Sequence, residues 1–318
     1  MVNNKEKNFI SVVAYVHNNE NELENWLEHI LDLLKMHFDK YEIVFVNDNS
    51  YDNSIAVIKK FVKEHHIGHI INIIHMSYYH GLEASMNAGV DLAIGDFIYE
   101  FDNLLVEYDQ DLIWKVYQRS LQGYDIVSAA SGEKMDVFSA IFYKIYNWGK
   151  RQEGRAYSLQ RESFRILSRR AINRVKAMGN SIPYRKAMYI NCGLPCDSIL
   201  YRTNENIKKS YDKTQMKNRK ELAIDSLILF TDTVTKVTLL ISCLFLAFAF
   251  FVGGYTVFVY LGNHQPVEGW APIMGFLSAG FGGIFIILTI IVKYLSLALN
   301  MLFKKQNYLI KSIEKITD

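Results

Sequence analysis

Residues 9–16, F-I-S-V-V-A-Y-V, form a continuous apolar run of strand length. Such a run is expected of a strand covered on both faces. Asn18, Asn19, Glu20 and Asn21 follow and can cap a helix. Leu23, Trp26, Leu27, Ile30, Leu31, Leu33 and Leu34 then recur at helical spacing. A second apolar strand at 41–46 runs into N-D-N-S-Y-D-N-S, residues 47–54. This is a polar turn of side chains that bond their own backbone. A helix to about residue 65, a strand at 69–75 and a small-residue helix over 81–92 come next. The apolar strand 97–101 stops on Asp102, with Glu107 and Asp109 close behind, and Asp109 can cap the helix over 112–121. A strand at 125–129 follows. Strands alternating with helices of this length predict a mostly parallel, doubly wound α/β sheet. Ligands of such sheets bind beyond the carboxyl ends of the strands, so Asp102 stands where chemistry is expected.

The polarity of the chain changes along its length. Up to about Lys220 charged and apolar residues mix normally; from about Val237 charge almost disappears. Residues 237–261 carry no Lys, Arg, Asp or Glu, and neither do residues 270–292. Each stretch is long enough to span a bilayer. The second is rich in small residues suited to close helix packing, among them Gly275, Ser278, Ala279 and Gly280. The loop between them, G-N-H-Q-P-V-E-G, has no Lys or Arg, whereas Lys236, Lys293, Lys304, Lys305 and Lys311 flank the pair. The positive-inside rule then puts both termini in the cytoplasm. Residues 294–305 read as an amphipathic helix along the inner membrane surface, followed by a short apolar tail over 308–313. The expected organisation is a cytoplasmic domain over 1–220, a juxtamembrane helix over 221–236 and a two-span membrane hairpin with its tail over 237–318.

Charge and cysteine content narrow the chemistry. The 318 residues carry 35 Lys and Arg against 33 Asp and Glu, a balance that gives no reason to expect nucleic-acid binding. The basic residues cluster at 150–176 and 202–220; ahead of a membrane segment such runs attract anionic lipid headgroups. Three cysteines give no disulfide framework, and Cys192 and Cys196 form a lone C-x3-C with no second pair. There is no G-x-G-x-x-G, P-loop or internal repeat, so phosphate must be recognised by other groups. The N-terminus has no apolar core and is not read as a signal peptide.

These motifs resemble the inverting family-2 glycosyltransferases of the GT-A fold, specifically the membrane-bound polyprenyl-phosphate group that includes dolichol-phosphate mannose synthase. S-V-V-A-Y-V-H-N-N-E looks like that family's S-V-V-x-P-x-x-N-E, and N-D-N-S-Y-D-N-S like its D-D-G-S-x-D-G-T. Gly81, Ala84, Asn87 and Gly89 fall where it has G-x-x-x-A-x-N-x-G. G-D-F-I-Y-E-F-D resembles the approach to its D-x-D, and S-F-R-I-L-S-R-R its D-x-R-L-x-x-R. Paired C-terminal spans and Tyr308 also fit the group. The departures are specific. Tyr15 stands for a proline, Asn19 for a glutamate, Asn47 for an aspartate and Ser163 for an acid; the D-x-D reads Asp102-Asn103-Leu104, without its second carboxylate.

The resemblance implies a GT-A domain that transfers a hexosyl group from a nucleotide sugar to a polyprenyl (undecaprenyl-type) phosphate at the cytoplasmic membrane face, as in building cell-envelope polysaccharide. It implies that Asp48, with Asn18, Asn47 and Ser50, holds the nucleotide. Asp102 would lie beside the diphosphate sharing Mg2+ or Mn2+, with Asn103 or Glu107 as weaker ligands, and Arg165 and Arg169 would face the phosphates. The incomplete D-x-D and D-D-G-S motifs set a second reading beside it: a catalytically degenerate relative that serves as a binding scaffold or partner subunit. Two spans are too few for a flipping pore, so export of a lipid-linked product would need another protein or a homo-oligomer.

Overall fold

The computed structural model describes residues 5–132, 162–178, 185–203, 270–302 and 308–316, with isolated positions between 240 and 251. Most of the first expected span, the juxtamembrane helix, residues 150–161 of the first basic run and nearly all of the second lie outside the described residues. The chain divides into two compact units, Met1–Ser226 with Gln306–Asp318, and Leu227–Lys305.

The first unit is built on the predicted alternation. Its elements are β1 (Ile10–Val16), α1 (Leu23–His37), β2 (Tyr41–Asn47), α2 (Ser54–His65), β3 (Ile71–Met76), α3 (Leu82–Leu92), β4 (Phe97–Phe101), α4 (Gln110–Leu121) and β5 (Ile126–Ser131). Then come β6 (Glu162–Ser168), α5 (Arg169–Ala177), α6 (Arg185–Asn191) and β7 (Cys196–Tyr201), with β8 (Ile310–Lys315) near the C-terminus. Among the described residues these strands make one sheet in the order β7-β5-β6-β4-β1-β2-β3-β8. β4, β1, β2 and β3 run parallel. β6 lies antiparallel between β4 and β5, and β8 is antiparallel on β3.

Period-two alternation sends successive side chains to opposite faces. In β1, Val12, Ala14 and Val16 enter one core with Trp26, Phe45, Phe101 and Phe164, while Val13 and Tyr15 enter another with Val44, Val46 and Met86. Both faces are thus covered, which explains the continuous apolar runs. Trp26 of α1 sits edge-on to Phe45 and Phe101, with ring centroids 5.9 and 5.2 Å away; such pairs contribute about 0.5–1.5 kcal/mol each beyond their buried area. On the other face α3 approaches closely because Gly89 has no side chain: a Cβ there would meet Val13 Cγ1 at 2.4 Å and Val46 Cγ2 at 2.6 Å.

The second unit contains α7 (Trp270–Leu302), a 33-residue helix that exposes Ile273, Phe281, Phe285 and Val292. Counted over the described residues alone, no helix is long and apolar enough to cross a membrane. α7 runs on through 294–302, within the stretch expected to continue as an amphipathic helix.

Candidate functional site

The carboxyl ends of β1, β2, β3 and β4 share one edge of the sheet, and the N-terminal end of the antiparallel β6 joins them. Two polar centres stand there.

The first surrounds Asp48, which follows β2 and is fully buried. Its Oδ1 accepts from the His80 N–H (2.8 Å); its Oδ2 accepts from the Gly81 N–H (2.8 Å) and the Tyr15 hydroxyl (2.9 Å). Burial first, and the Asp48 charge next, push the Tyr15 hydroxyl far above its ordinary value, so it stays a donor. Gly81 has φ 83°, a conformation glycine adopts at no steric cost. Asn18, also in the left-handed region at φ 57°, accepts from the Tyr51 N–H through Oδ1 (3.0 Å), and its own N–H donates to Ser50 Oγ (3.2 Å). Asn47 Oδ1 accepts from the Ser50 N–H (3.0 Å). The four expected nucleotide-binding residues are therefore together, joining the ends of β1, β2 and β3. Asp48 serves this junction as its internal brace. The outward surface comes from aromatic rings, with His17 4.8 Å from Tyr79 and 6.2 Å from Tyr51, which is 86% exposed.

The second centre is a buried ion cluster. Register places Glu100 of β4 opposite Arg165 of β6. Arg165 donates through Nη1 to Glu100 (2.7 Å), through Nη2 to Asp102 (2.7 Å) and through Nε to Glu162 (3.0 Å). Arg185 of α6 donates through Nη2 to the other Asp102 oxygen (2.8 Å) and through Nε to Glu83 of α3 (3.0 Å), and its Nη1 lies 2.8 Å from Glu100. Lys186 Nζ stands 3.7 Å from Asp102 and 3.9 Å from Glu162. The Tyr189 hydroxyl donates to Glu100 (2.6 Å). Burial alone would raise the Asp102 carboxyl, but Arg165, Arg185 and Lys186 outweigh it and hold the group far below the usual carboxylate range. Burial alone would likewise weaken both guanidinium charges; the facing carboxylates hold them well above their ordinary value instead. Four carboxylates (Glu83, Glu100, Asp102, Glu162) against three cations (Arg165, Arg185, Lys186) leave a formal charge of −1.

Asp102 and Arg165 are brought together at this edge, but Arg165, expected to face the phosphates, is a central-strand residue with no exposed surface whose guanidinium is engaged by Glu100, Asp102 and Glu162. Arg169 is not brought to this edge. At the start of α5 it donates to the carbonyls of Ala93 and Gly95, on the order of 20 Å along β4 from Asp102 at about 3.3 Å per residue. Its expected role on phosphate is corrected accordingly: it ties α5 to the far end of β4. Asn103 Oδ1 accepts from the Leu105 N–H (3.1 Å), and Glu107 accepts from the Ser163 hydroxyl (3.0 Å) and the Tyr201 hydroxyl (3.3 Å). The sequence reading missed Glu100, Arg185, Lys186 and Tyr189. A glutamate inside an apolar strand was the one available signal, because a buried charge needs partners.

Residues 11–178 match the family described as glycosyl transferase family 2. The chain belongs to that family. It is a glycosyltransferase with a GT-A-like domain. The uncharacterized glycosyltransferase YkcC of Bacillus subtilis (strain 168) is 22% identical over 292 residues, spanning 90% of this chain and 88% of that protein. The undecaprenyl-phosphate 4-deoxy-4-formamido-L-arabinose transferase of Proteus mirabilis (strain HI4320) is 29% identical over 131 residues, 41% of this chain and 39% of that protein. A crystal structure of glucosyl-3-phosphoglycerate synthase from Mycobacterium tuberculosis, in complex with Mn2+, UDP-glucose and phosphoglyceric acid, shares the fold: TM-score 0.50, 10% identity, 70% of this chain and 79% of that one.

The Mn2+ in that neighbour and the family resemblance both raise the question of a divalent cation. Such ions want several converging oxygen ligands. Here each Asp102 oxygen faces a guanidinium, and Asn103 Oδ1 and Glu107 Oε1 already accept from the chain. Among the described residues, no three His, Cys, Asp or Glu side chains come together to hold a metal. This donor set, as arranged, does not fit the ion.

Proposed function

We propose that this glycosyltransferase moves a sugar from a nucleotide-sugar donor to a polyprenyl phosphate at the cytoplasmic face of a membrane, with inversion. The observation that carries the reading is the convergence, at one sheet edge, of the Asp48 junction and the Asp102–Arg165–Arg185–Lys186 cluster. The nucleobase lies against the His17, Tyr51 and Tyr79 rings, and the diphosphate reaches toward Lys186 at the edge of the Asp102 cluster. An oxygen of the acceptor phosphate forms the new bond to the anomeric carbon. The bond from that carbon to the donor diphosphate breaks, and its electron pair leaves with the nucleoside diphosphate. An anionic phosphate needs no strong base to act as nucleophile; it needs placement and compensating charge. Lys186 is the cation that turns to the leaving group, because its side chain is 11% exposed whereas the two arginines are 1–2% exposed.

The membrane assignment is supported by two charge-free stretches in the sequence and by the apolar surface of α7, where Ile284, Phe285, Ile286 and Leu288 are 47–65% exposed. The undecaprenyl-phosphate transferase of Proteus mirabilis supports the lipid acceptor. The test is transfer of labelled sugar from a panel of nucleotide sugars into a polyprenyl-phosphate extract, with and without magnesium or manganese, beside Asp102→Ala. Lipid-linked product that is lost in the variant is expected. No product and no nucleotide-sugar binding with any donor would overturn the reading in favour of a scaffold.

A further inference from the structure

Resting on that reading of the donor site, we infer that the C-terminal segment 308–315 is a positioning element of it, and that Leu309 and Glu314 act through His80 and His75. β8 follows the long apolar helix in sequence, yet it returns to the first unit and pairs with β3 from Asn72 opposite Lys315 to Met76 opposite Ile310. A strand that merely covered an exposed edge would need only this ladder. Two further connections run inward from it. The Leu309 N–H donates to His80 Nε2 (3.0 Å), the Leu309 carbonyl accepts from the Ser77 N–H (3.0 Å), and the His80 N–H is one of the donors on Asp48. Glu314 accepts from His75 Nε2 (3.2 Å) and pairs with Lys59 (2.7 Å); His75 Nδ1 lies 3.1 Å from the amide nitrogen of Asn47, whose oxygen holds Ser50.

The tautomers follow from the partners. A backbone N–H can only donate, so His80 Nε2 accepts and its Nδ1–H donates to the Tyr78 carbonyl (2.6 Å). The Asn47 amide nitrogen can only donate, so His75 Nδ1 accepts and its Nε2–H faces Glu314. Both rings are thereby fixed between the C-terminal strand and a nucleotide-motif residue. The Tyr308 hydroxyl adds a third anchor by bonding the Asp91 carboxylate on α3. Without the segment, the 77–81 loop keeps its Asp48 contacts but loses the bonds that set its path past Tyr78 and Tyr79.

The experiment uses the full-length protein in detergent. Leu309→Pro removes the N–H to His80 while leaving the carbonyl and residues 310–315. His80→Ala removes the acceptor, and His80→Gln restores one. A chain ending at Asn307 removes the strand. UDP and GDP serve as probes in calorimetry, and hydrogen exchange follows the 77–81 amides. One lost hydrogen bond is worth about 0.5–1.5 kcal/mol, so Leu309→Pro and His80→Ala should weaken binding of the preferred nucleotide by roughly three- to tenfold. The 77–81 amides should exchange faster, with His80→Gln in between. Nucleotide affinity within twofold of wild type in Leu309→Pro and in the shortened chain overturns the inference. A wild-type chain that binds neither probe overturns the donor-site reading itself, and this one with it.

Discussion

Arg185→Met should unfold this protein more readily than almost any other single replacement in the sheet layer. The arginine is 1% exposed and engages Glu83, Glu100 and Asp102. Methionine fills much of the same volume without charge. Three carboxylates would then lose a partner at once, and the cluster would pass from a formal −1 to −2. Breaking a buried pair from one side costs about 3–5 kcal/mol, because an uncompensated charge stays behind. Against a total stability of about 5–15 kcal/mol for a folded domain, that is at least roughly a fifth of the margin. Chemical denaturation of purified full-length protein at pH 7 measures it. The pH dependence gives the sharper test. Wild-type Asp102 is held far below its ordinary value. Its contribution is therefore complete above the unfolded value, near pH 4, and is lost progressively as pH falls below it toward the folded value. In the variant one of the three cations that depress Asp102 is gone, so a proton is taken up more easily. The difference between the two proteins should be largest at pH 7 and shrink as acid is added. A loss under about 1 kcal/mol at pH 7, or a gap that stays constant down to acid, would refute the view of these residues as one buried charge network.

Further outcomes are expected. Gly89→Ala should cost about 1–3 kcal/mol through overpacking, read as a lower melting temperature, since the new Cβ meets Val13 and Val46. Lys186→Met should lower kcat at least tenfold in steady-state transfer assays and lower the melting temperature less than Arg185→Met does, because its ion contacts are longer, 3.7 and 3.9 Å. Tyr51→Ala should weaken nucleotide binding by roughly tenfold, on the order of the 1–3 kcal/mol that base–aromatic stacking supplies, without altering stability, because the ring is 86% exposed. Arg169→Met should lower stability by loosening α5 from the start of β4 and leave the KM for the donor unchanged.

The elements whose burial is two-sided and local were legible from the residues. β1, β2 and β4 announce themselves as apolar runs, and α1 by its periodic leucines. β6 is harder to see, because its buried face carries Arg165, which breaks the apolar pattern that marks a strand. β8 reads I-K-S-I-E-K and is mostly exposed; nothing in its periodicity points to β3. Most of the ion cluster was hidden for a related reason. Arg185 meets Asp102 across 83 positions of sequence, and His75 meets Glu314 across 239. Motif spacing carries no information about such pairings. The family resemblance found Asp102 and Arg165 but also pointed to Arg169, which lies on the same short stretch yet at the other end of the strand it touches.

The departures from the family pattern bear on whether the site is in use. A site abandoned by selection should accumulate buried polar groups without partners, since nothing would remove them except their cost to stability. The altered positions here are instead accommodated. Tyr15, in place of proline, donates to Asp48. Asn47, in place of aspartate, accepts from Ser50 and donates to His75. Asn19, in place of glutamate, accepts from the His17 N–H (2.9 Å). Ser163, in place of an acid, donates to Glu107, which returns a carboxylate to that spot from another segment. Of the buried side-chain atoms lacking a hydrogen-bond partner among the described residues, the site contributes Arg185 Nη1 alone, and that atom is in ion-pair contact with Glu100. Re-partnering of this kind fits a site whose chemistry has been retuned and argues against decay.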